Sequence, residues 1–263
     1  TCSSSVRTIA DDLGRECRLP EGPVTRVVSL VPSLTEALAA TRPEALVGAT
    51  DWCTHPADLA VTRVRGTKNP NLETIIELAP QLVVANKEEN RRVDVDRLHE
   101  AGITVWVTQT EDVVEALQSM ERLFEVALQW GVPPWLGTVE RLWLRRRPAP
   151  VARVAVAIWR DPWMVVGSST FTDDLLARAR LENAFATHTD RYPRVELDEL
   201  DRPDLDAVLL PDEPYVFTAE DGPEAFATAP TRLVSGRLLT WYGPSLIEAR
   251  TVLDALADDL ATR

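Results

Sequence analysis

The chain has 263 residues, 45% of them apolar and 26% charged, with a formal net charge of −13. Enough apolar residue is present for a packed core, and the length suits one large domain or two ordinary ones. The acidic balance excludes a nucleic-acid face, because phosphates need a basic surface, and no apolar run approaches the roughly 20 residues that span a bilayer.

Short apolar runs alternate with helical patterns throughout, the signature of an α/β fold with mainly parallel sheets. Residues 7–20 read as a hairpin turning at Asp12-Leu13-Gly14-Arg15. A buried strand follows over 26–31. Ser33-Leu34-Thr35-Glu36 has capping-box spacing and predicts a helix to about Ala40. Strands are predicted at 45–49, 82–85 and 103–107, with helices over 72–78, 93–101 and 112–130. Gly131 and Pro133-Pro134 end the last of these. From Pro134, the apolar residues Trp135, Leu136, Val139, Leu142 and Trp143 line one helical face. Arg145-Arg146-Arg147 places positive charge at its C-terminal end, where the macrodipole favours it, before Pro148 and Pro150. This helix, about 14 residues and about 21 Å long, separates an N-terminal lobe (1–132) from a C-terminal lobe (151–263), with 133–150 as connector. In the second lobe the pattern predicts strands at 152–159, 164–166, 205–210, 232–234 and 238–240. Helices are expected over 172–180 and from Ser245 to about Leu260.

The halves echo each other. Leu72-Glu73 leads by way of Pro80 into Leu82-Val83-Val84, and Leu197-Asp198 leads by way of Pro203 into Val208-Leu209-Leu210. Each is a short helix with an acidic start feeding a buried strand through a proline.

Three cysteines suit neither a disulfide framework nor a metal knuckle. A single Cys17–Cys53 bridge is compatible with an oxidising compartment. Cys2, followed by Ser3-Ser4-Ser5, fits a lipid-bearing cysteine on a serine tether, or the native start of a protein that is not exported.

In open parallel sheets, ligands bind outside the carboxyl ends of the strands. The loops predicted there carry Ser33, Asp51, Trp52, Thr67, Lys68, Lys87, Arg91, Arg160, Trp163, Tyr192, Tyr215, Trp241 and Tyr242. Lys68 and Lys87 are the only lysines in the chain. Aromatic rings on loops suit a broad apolar ligand, and cations beside them suit its carboxylates or other oxygens. An acidic protein can hold such a basic pocket locally. Catalytic signals are thin: Cys53-Thr54-His55 supplies no positioned base, and the three histidines (His55, His99 and His188) are scattered. No Walker loop, dinucleotide fingerprint or nucleophile elbow is present. The expectation is binding without catalysis, with no resident cofactor.

Taken in order, several segments resemble the helical-backbone (class III) substrate-binding proteins of ABC importers, which carry ferric siderophores, haem or cobalamin. The stretch from Arg26-Val27-Val28-Ser29-Leu30-Val31 through Pro32-Ser33-Leu34-Thr35-Glu36 is the most telling, joined by Asn71-Leu72-Glu73, Pro80-Gln81-Leu82 and Tyr192-Pro193-Arg194-Val195. The resemblance implies two rigid lobes, a ligand in the cleft between them, a connecting helix that limits closure, a monomer, and an extracytoplasmic location. It also implies docking to an ABC permease dimer through one acidic residue per lobe, here Glu73 and Asp198. Departures are an Asp at the second docking position, a short connecting helix, and Thr67 and Asn86 where cobalamin carriers tend to be aromatic. The implied ligand is a metal complex, a cobalamin-like corrinoid or a ferric siderophore. Haem would use His55, Tyr192 or Tyr242 as an axial ligand. Two alternatives remain: a non-exported binder of such complexes without a transporter, and a two-lobed tetrapyrrole metal chelatase, for which only His55 is well placed.

Overall fold

The computed structural model describes residues 5–263; Cys2 and the tether reading lie outside them. The chain forms two compact units. The first takes the residues up to Thr110, then Glu115–Thr138 and Tyr242–Pro244; the second takes Glu111–Val114, Val139–Trp241 and Ser245–Arg263.

The first unit opens with an antiparallel hairpin, β1 (Val6–Ala10) and β2 (Glu16–Pro20). Asp11 holds its turn, accepting from the Leu13 amide at 2.9 Å and the Arg15 amide at 3.0 Å. The sheet behind it is built from β3 (Val27–Ser29), β4 (Leu46–Ala49), β5 (Thr62–Arg63), β8 (Leu82–Asn86) and β9 (Val105–Thr108). Their order is β5-β4-β3-β8-β9, every neighbouring pair parallel. Every residue of β3, β8 and β9 is buried, as expected for parallel strands covered on both faces. Between β5 and β8 lie a tiny hairpin, β6 (Arg65–Gly66) with β7 (Asn69–Pro70), and helix α2 (Leu72–Glu77). Helices α1 (Pro32–Thr41), α3 (Arg92–Glu100) and α4 (Val113–Glu121) complete the layers, and α4 runs on as a π-turn over Arg122–Ala127.

Helix α5 (Pro134–Trp143) carries the chain from the first unit into the second. Its stripe is real: Leu136, Val139 and Trp143 are buried. It is shorter than the spacing predicts, ending four residues before Arg147. Pro148 pushes the residue before it out of the helical region, and Arg147 instead pairs with Asp174.

In the second unit β10 (Ala152–Trp159) is central. It pairs antiparallel with β11 (Met164–Val165) and parallel with β12 (Leu181–Asn183) and β13 (Ala207–Pro211), and β13 pairs parallel with β14 (Thr231–Val234). Helices α6 (Phe171–Arg178), α7 (Leu197–Leu200), α8 (Gly236–Thr240) and α9 (Ser245–Ala261) surround it.

Three local expectations are overturned. Residues 238–240 are helix, not strand. The Ser33 capping box does not form: Pro32 is already helical, Val31 is the N-cap and has no side-chain oxygen, and Ser33 turns inward at 2% exposure. Cys17 and Cys53 are unbridged. The Cys17 thiol donates to the Val105 carbonyl at 3.2 Å, and burial, reinforced by Asp11, pushes its pKa up to about 12. Cys53 accepts a hydrogen bond from the Thr35 hydroxyl at 3.0 Å, and burial raises its pKa as well.

Candidate functional site

Because β3, β4, β8 and β9 are parallel, the loops after them share one edge of the first unit's sheet. The loop after β4 is pinned from several sides. The Asp51 amide donates to the Arg65 carbonyl at 2.8 Å, and one nitrogen of Arg63 donates to the Thr50 and Cys53 carbonyls at 2.9 and 3.0 Å. On this rigid base Asp51 is exposed and the Trp52 indole stands in water, 67% exposed. Gly66 lies against that indole; a Cβ there would come within 3.3 Å of Trp52 Nε1 and 2.5 Å of Asn69 Oδ1.

Two asparagines stitch the remaining loops. At the end of β8, the Asn86 amide nitrogen lies within hydrogen-bond distance of the hydroxyls of Thr108 (3.2 Å), Thr110 (3.0 Å) and Tyr242 (3.3 Å), its two N–H donors shared among them, and its oxygen accepts from the Glu88 amide at 2.9 Å. Asn90 donates to the Leu30 and Thr67 carbonyls at 3.1 and 3.3 Å. Over this frame the exposed Lys68 ammonium donates to the Glu88 carbonyl at 2.8 Å, and Lys87 is also exposed. Arg91 is exposed but turns back to grip Asp94 with two bonds, at 2.8 and 3.1 Å. The first unit therefore brings Asp51, Trp52, Thr67, Lys68, Lys87 and Arg91 to one edge, where Trp52 and both lysines are exposed.

Two other residues expected on this surface are interior. Ser33 and Tyr242 are buried, and burial drives the Tyr242 phenol well above its ordinary pKa. Neither offers a ligand a free surface. Asn86 and Asn90, which lie on a predicted loop but are not among the candidate ligand residues, organise the edge, and only their position beside a strand end marks them.

The matching edge of the second unit is more self-contained than the sequence suggests. Trp163 is 7% exposed and packs in the core, stacked on Phe217 with ring centres 5.9 Å apart. Trp241 is 6% exposed and donates to Glu213 at 2.7 Å. Arg160 meets Asp221 at 2.5 Å and also pairs with Glu224, so its charge is already answered. Tyr215 is half-buried and donates its hydroxyl to Asp221 at 2.6 Å. These four share one trait: each side chain finds a partner within its own unit. Tyr192 stays 39% exposed, with the Arg191 guanidinium 5.7 Å from its ring. Trp159, at the end of β10 and absent from the loop inventory, is 43% exposed and meets Tyr215 edge-on at 5.3 Å.

Glu213 gives this edge a pH signature. Burial raises its carboxyl pKa against the opposing pull of the Trp241 N–H. A carboxyl raised by folding contributes stability below its unfolded value, and that contribution is lost as pH rises through the folded value. Glu213→Gln keeps an oxygen for Trp241 and removes the ionisation. It is expected to leave stability unchanged below about pH 4 and to raise it at about pH 7, read from urea midpoints at the two pH values.

Among the described residues no group of three His, Cys, Asp or Glu side chains is placed to hold a metal ion. His55 bonds the neighbouring Thr54 hydroxyl at 3.0 Å.

No protein-family model matches the chain. A vitamin B12-binding protein of Vibrio vulnificus is 26% identical over 193 residues, 69% of each chain. Among solved structures, the periplasmic vitamin B12-binding protein BtuF of Vibrio cholerae superposes with a TM-score of 0.72 at 17% identity, covering 92% of this chain and 99% of that one. The periplasmic haem-binding protein RhuT of Roseiflexus sp. RS-1 gives 0.74 at 19% identity, covering 91% and 98%. The fold is that of the periplasmic substrate-binding proteins.

Proposed function

We propose that the chain is the extracytoplasmic substrate-binding component of an ABC importer and reversibly holds a metal complex, a cobalamin-like corrinoid before a ferric siderophore. What supports the reading most is the near end-to-end likeness to periplasmic carriers of such complexes. The first unit's edge suits the same ligand class. Trp52 supplies a broad apolar face, and Lys68 and Lys87 supply cations for peripheral amide, carboxylate or phosphate oxygens. A ligand that brings its own metal coordination asks for just this: a platform and polar contacts, with no protein ligand set.

Titration of the apo-protein with cyanocobalamin, haem and a ferric hydroxamate tests this, following tryptophan quenching and thermal midpoint. Saturable quenching by cyanocobalamin is expected, and Trp52→Ala should weaken it by about 30-fold, the loss of a central aromatic anchor worth about 2 kcal/mol. If none of the three ligands moves either signal at tens of micromolar, the carrier reading fails. Saturation by haem alone would move the assignment to tetrapyrrole iron.

The same reading makes Glu73 and Asp198 the permease contacts. Both are exposed and both are the second residue of a short helix, α2 and α7. That location alone stabilises an acidic side chain, so the test must separate the roles. Glu73→Arg and Asp198→Arg are expected to leave cyanocobalamin affinity intact and to abolish ligand-dependent stimulation of the permease ATPase in a reconstituted system. Loss of ligand affinity in either variant would contradict the docking role.

A further inference from the structure

The opposite edge of the second unit's sheet holds a feature that ligand carriage does not use. Here β10 and β12 begin, at Ala152 and Leu181. A cavity of about 330 Å³ lies there, lined by Arg145, Arg146, Arg178, Arg180 and Arg250 together with Asp254. Five guanidiniums around one cavity are unexpected in a chain of net charge −13.

The inner three are braced by packing and paired with the carboxylates of Asp174, Asp254 and Asp258, so the surplus charge is that of the rim. Arg250 sits 4.1 Å above the Trp143 ring and grips Asp254. The ring is itself fixed by its N–H donating to the Leu246 carbonyl at 2.7 Å. Arg178 bonds Asp174 at 3.0 Å and the Trp143 carbonyl at 3.1 Å, and Arg180 bonds Asp258 at 2.8 Å. Arg180 also meets Asp254 at 3.7 Å; each guanidinium carries five N–H donors, more than these partners take up, so donors remain for a ligand. At the rim Arg145 and Arg146 are exposed. Arg145 donates to the Arg141 carbonyl at 2.9 Å, and Arg146 makes no side-chain bond among the described residues. Such a set of planar forks, held still by packing and stacking, matches a multiply charged oxyanion.

We propose that this cavity is a binding site for a phosphoryl anion, with room and charge for two linked phosphoryl groups. It is independent of the carrier reading, since it shares no residue with the Trp52 edge.

The test uses the full chain and inorganic pyrophosphate, by calorimetric titration and thermal shift at constant ionic strength. Vesicles of phosphatidylcholine with and without phosphatidic acid are run in parallel by co-sedimentation. Pyrophosphate is expected to bind saturably and to raise the thermal midpoint. The rim variant R145A/R146A, which removes exposed side chains and spares the stacked Arg250, should weaken it about tenfold for each guanidinium lost. Pyrophosphate binding without sedimentation assigns a soluble anion. Sedimentation that depends on phosphatidic acid and is lost in the variant assigns a lipid headgroup. No response to either probe overturns the proposal, as does a response equal in the variant or reproduced by sodium chloride.

Discussion

Replacing Trp163 with alanine is expected to cost about 3–5 kcal/mol of stability, whereas the same change at Trp52 should cost less than about 0.5 kcal/mol. Both rings stand on loops that leave the carboxyl end of a strand, yet their surroundings differ completely. Trp163 lies stacked on Phe217, edge-on to Phe226 at 5.4 Å, with the Arg160 guanidinium 5.3 Å from its ring. It belongs to the cluster that includes Val165, Val195, Leu210 and Phe217. Alanine there opens a cavity that rings on two sides cannot close, and it strips Arg160 of its platform. Trp52 has little to lose, being mostly in water. Urea midpoints of the two variants, with cyanocobalamin affinity beside them, give a crossed pattern: stability falls in one, ligand affinity in the other. A Trp163→Ala protein that keeps its midpoint and loses affinity would return Trp163 to the ligand surface.

That pair also shows what the sequence can and cannot reveal. The runs Val27-Val28-Ser29 and Leu82-Val83-Val84-Ala85 are apolar on both faces, so buried parallel strands follow from them directly. The stripe on α5 and the echoed starts of α2 and α7 are equally local signals. Leu238-Leu239-Thr240 is not: a short apolar run reads alike as strand or buried helix. Whether a loop ring meets water or a core is decided by partners far along the chain, Phe217 for Trp163 and Glu213 for Trp241. Arg160 was legible as a cation, but Asp221 and Glu224, which answer it, arrive from a distant loop. At Ser33 the capping spacing was right, but Pro32 took the first helical turn one residue early.

Asp174→Ala is expected to be as damaging as the loss of Trp163, for a different reason. Asp174 is 5% exposed and answers three donors of its unit: Arg178 Nε at 3.0 Å, the Val113 amide at 2.9 Å and the Arg147 guanidinium. Arg178 is itself only 12% exposed. Removing the carboxylate leaves the Arg178 guanidinium with the Trp143 carbonyl but no counter-charge and the buried Val113 amide without an acceptor, and one-sided breakage of such a pair costs about 3–5 kcal/mol. Arg147→Ala should cost only about 0–1 kcal/mol, because that side chain is 59% exposed and water replaces what it loses. Asp174→Asn should fall between, keeping one acceptor oxygen and forfeiting the charge. Thermal midpoints of the three variants test the ranking, and equal losses at Asp174 and Arg147 would refute it. The unpaired Arg178 in Asp174→Ala also faces the arginine cavity, whose charge becomes one unit more positive. Pyrophosphate should therefore raise the midpoint of this variant more than that of the parent chain, since an anion there supplies part of the acceptor that the substitution removed.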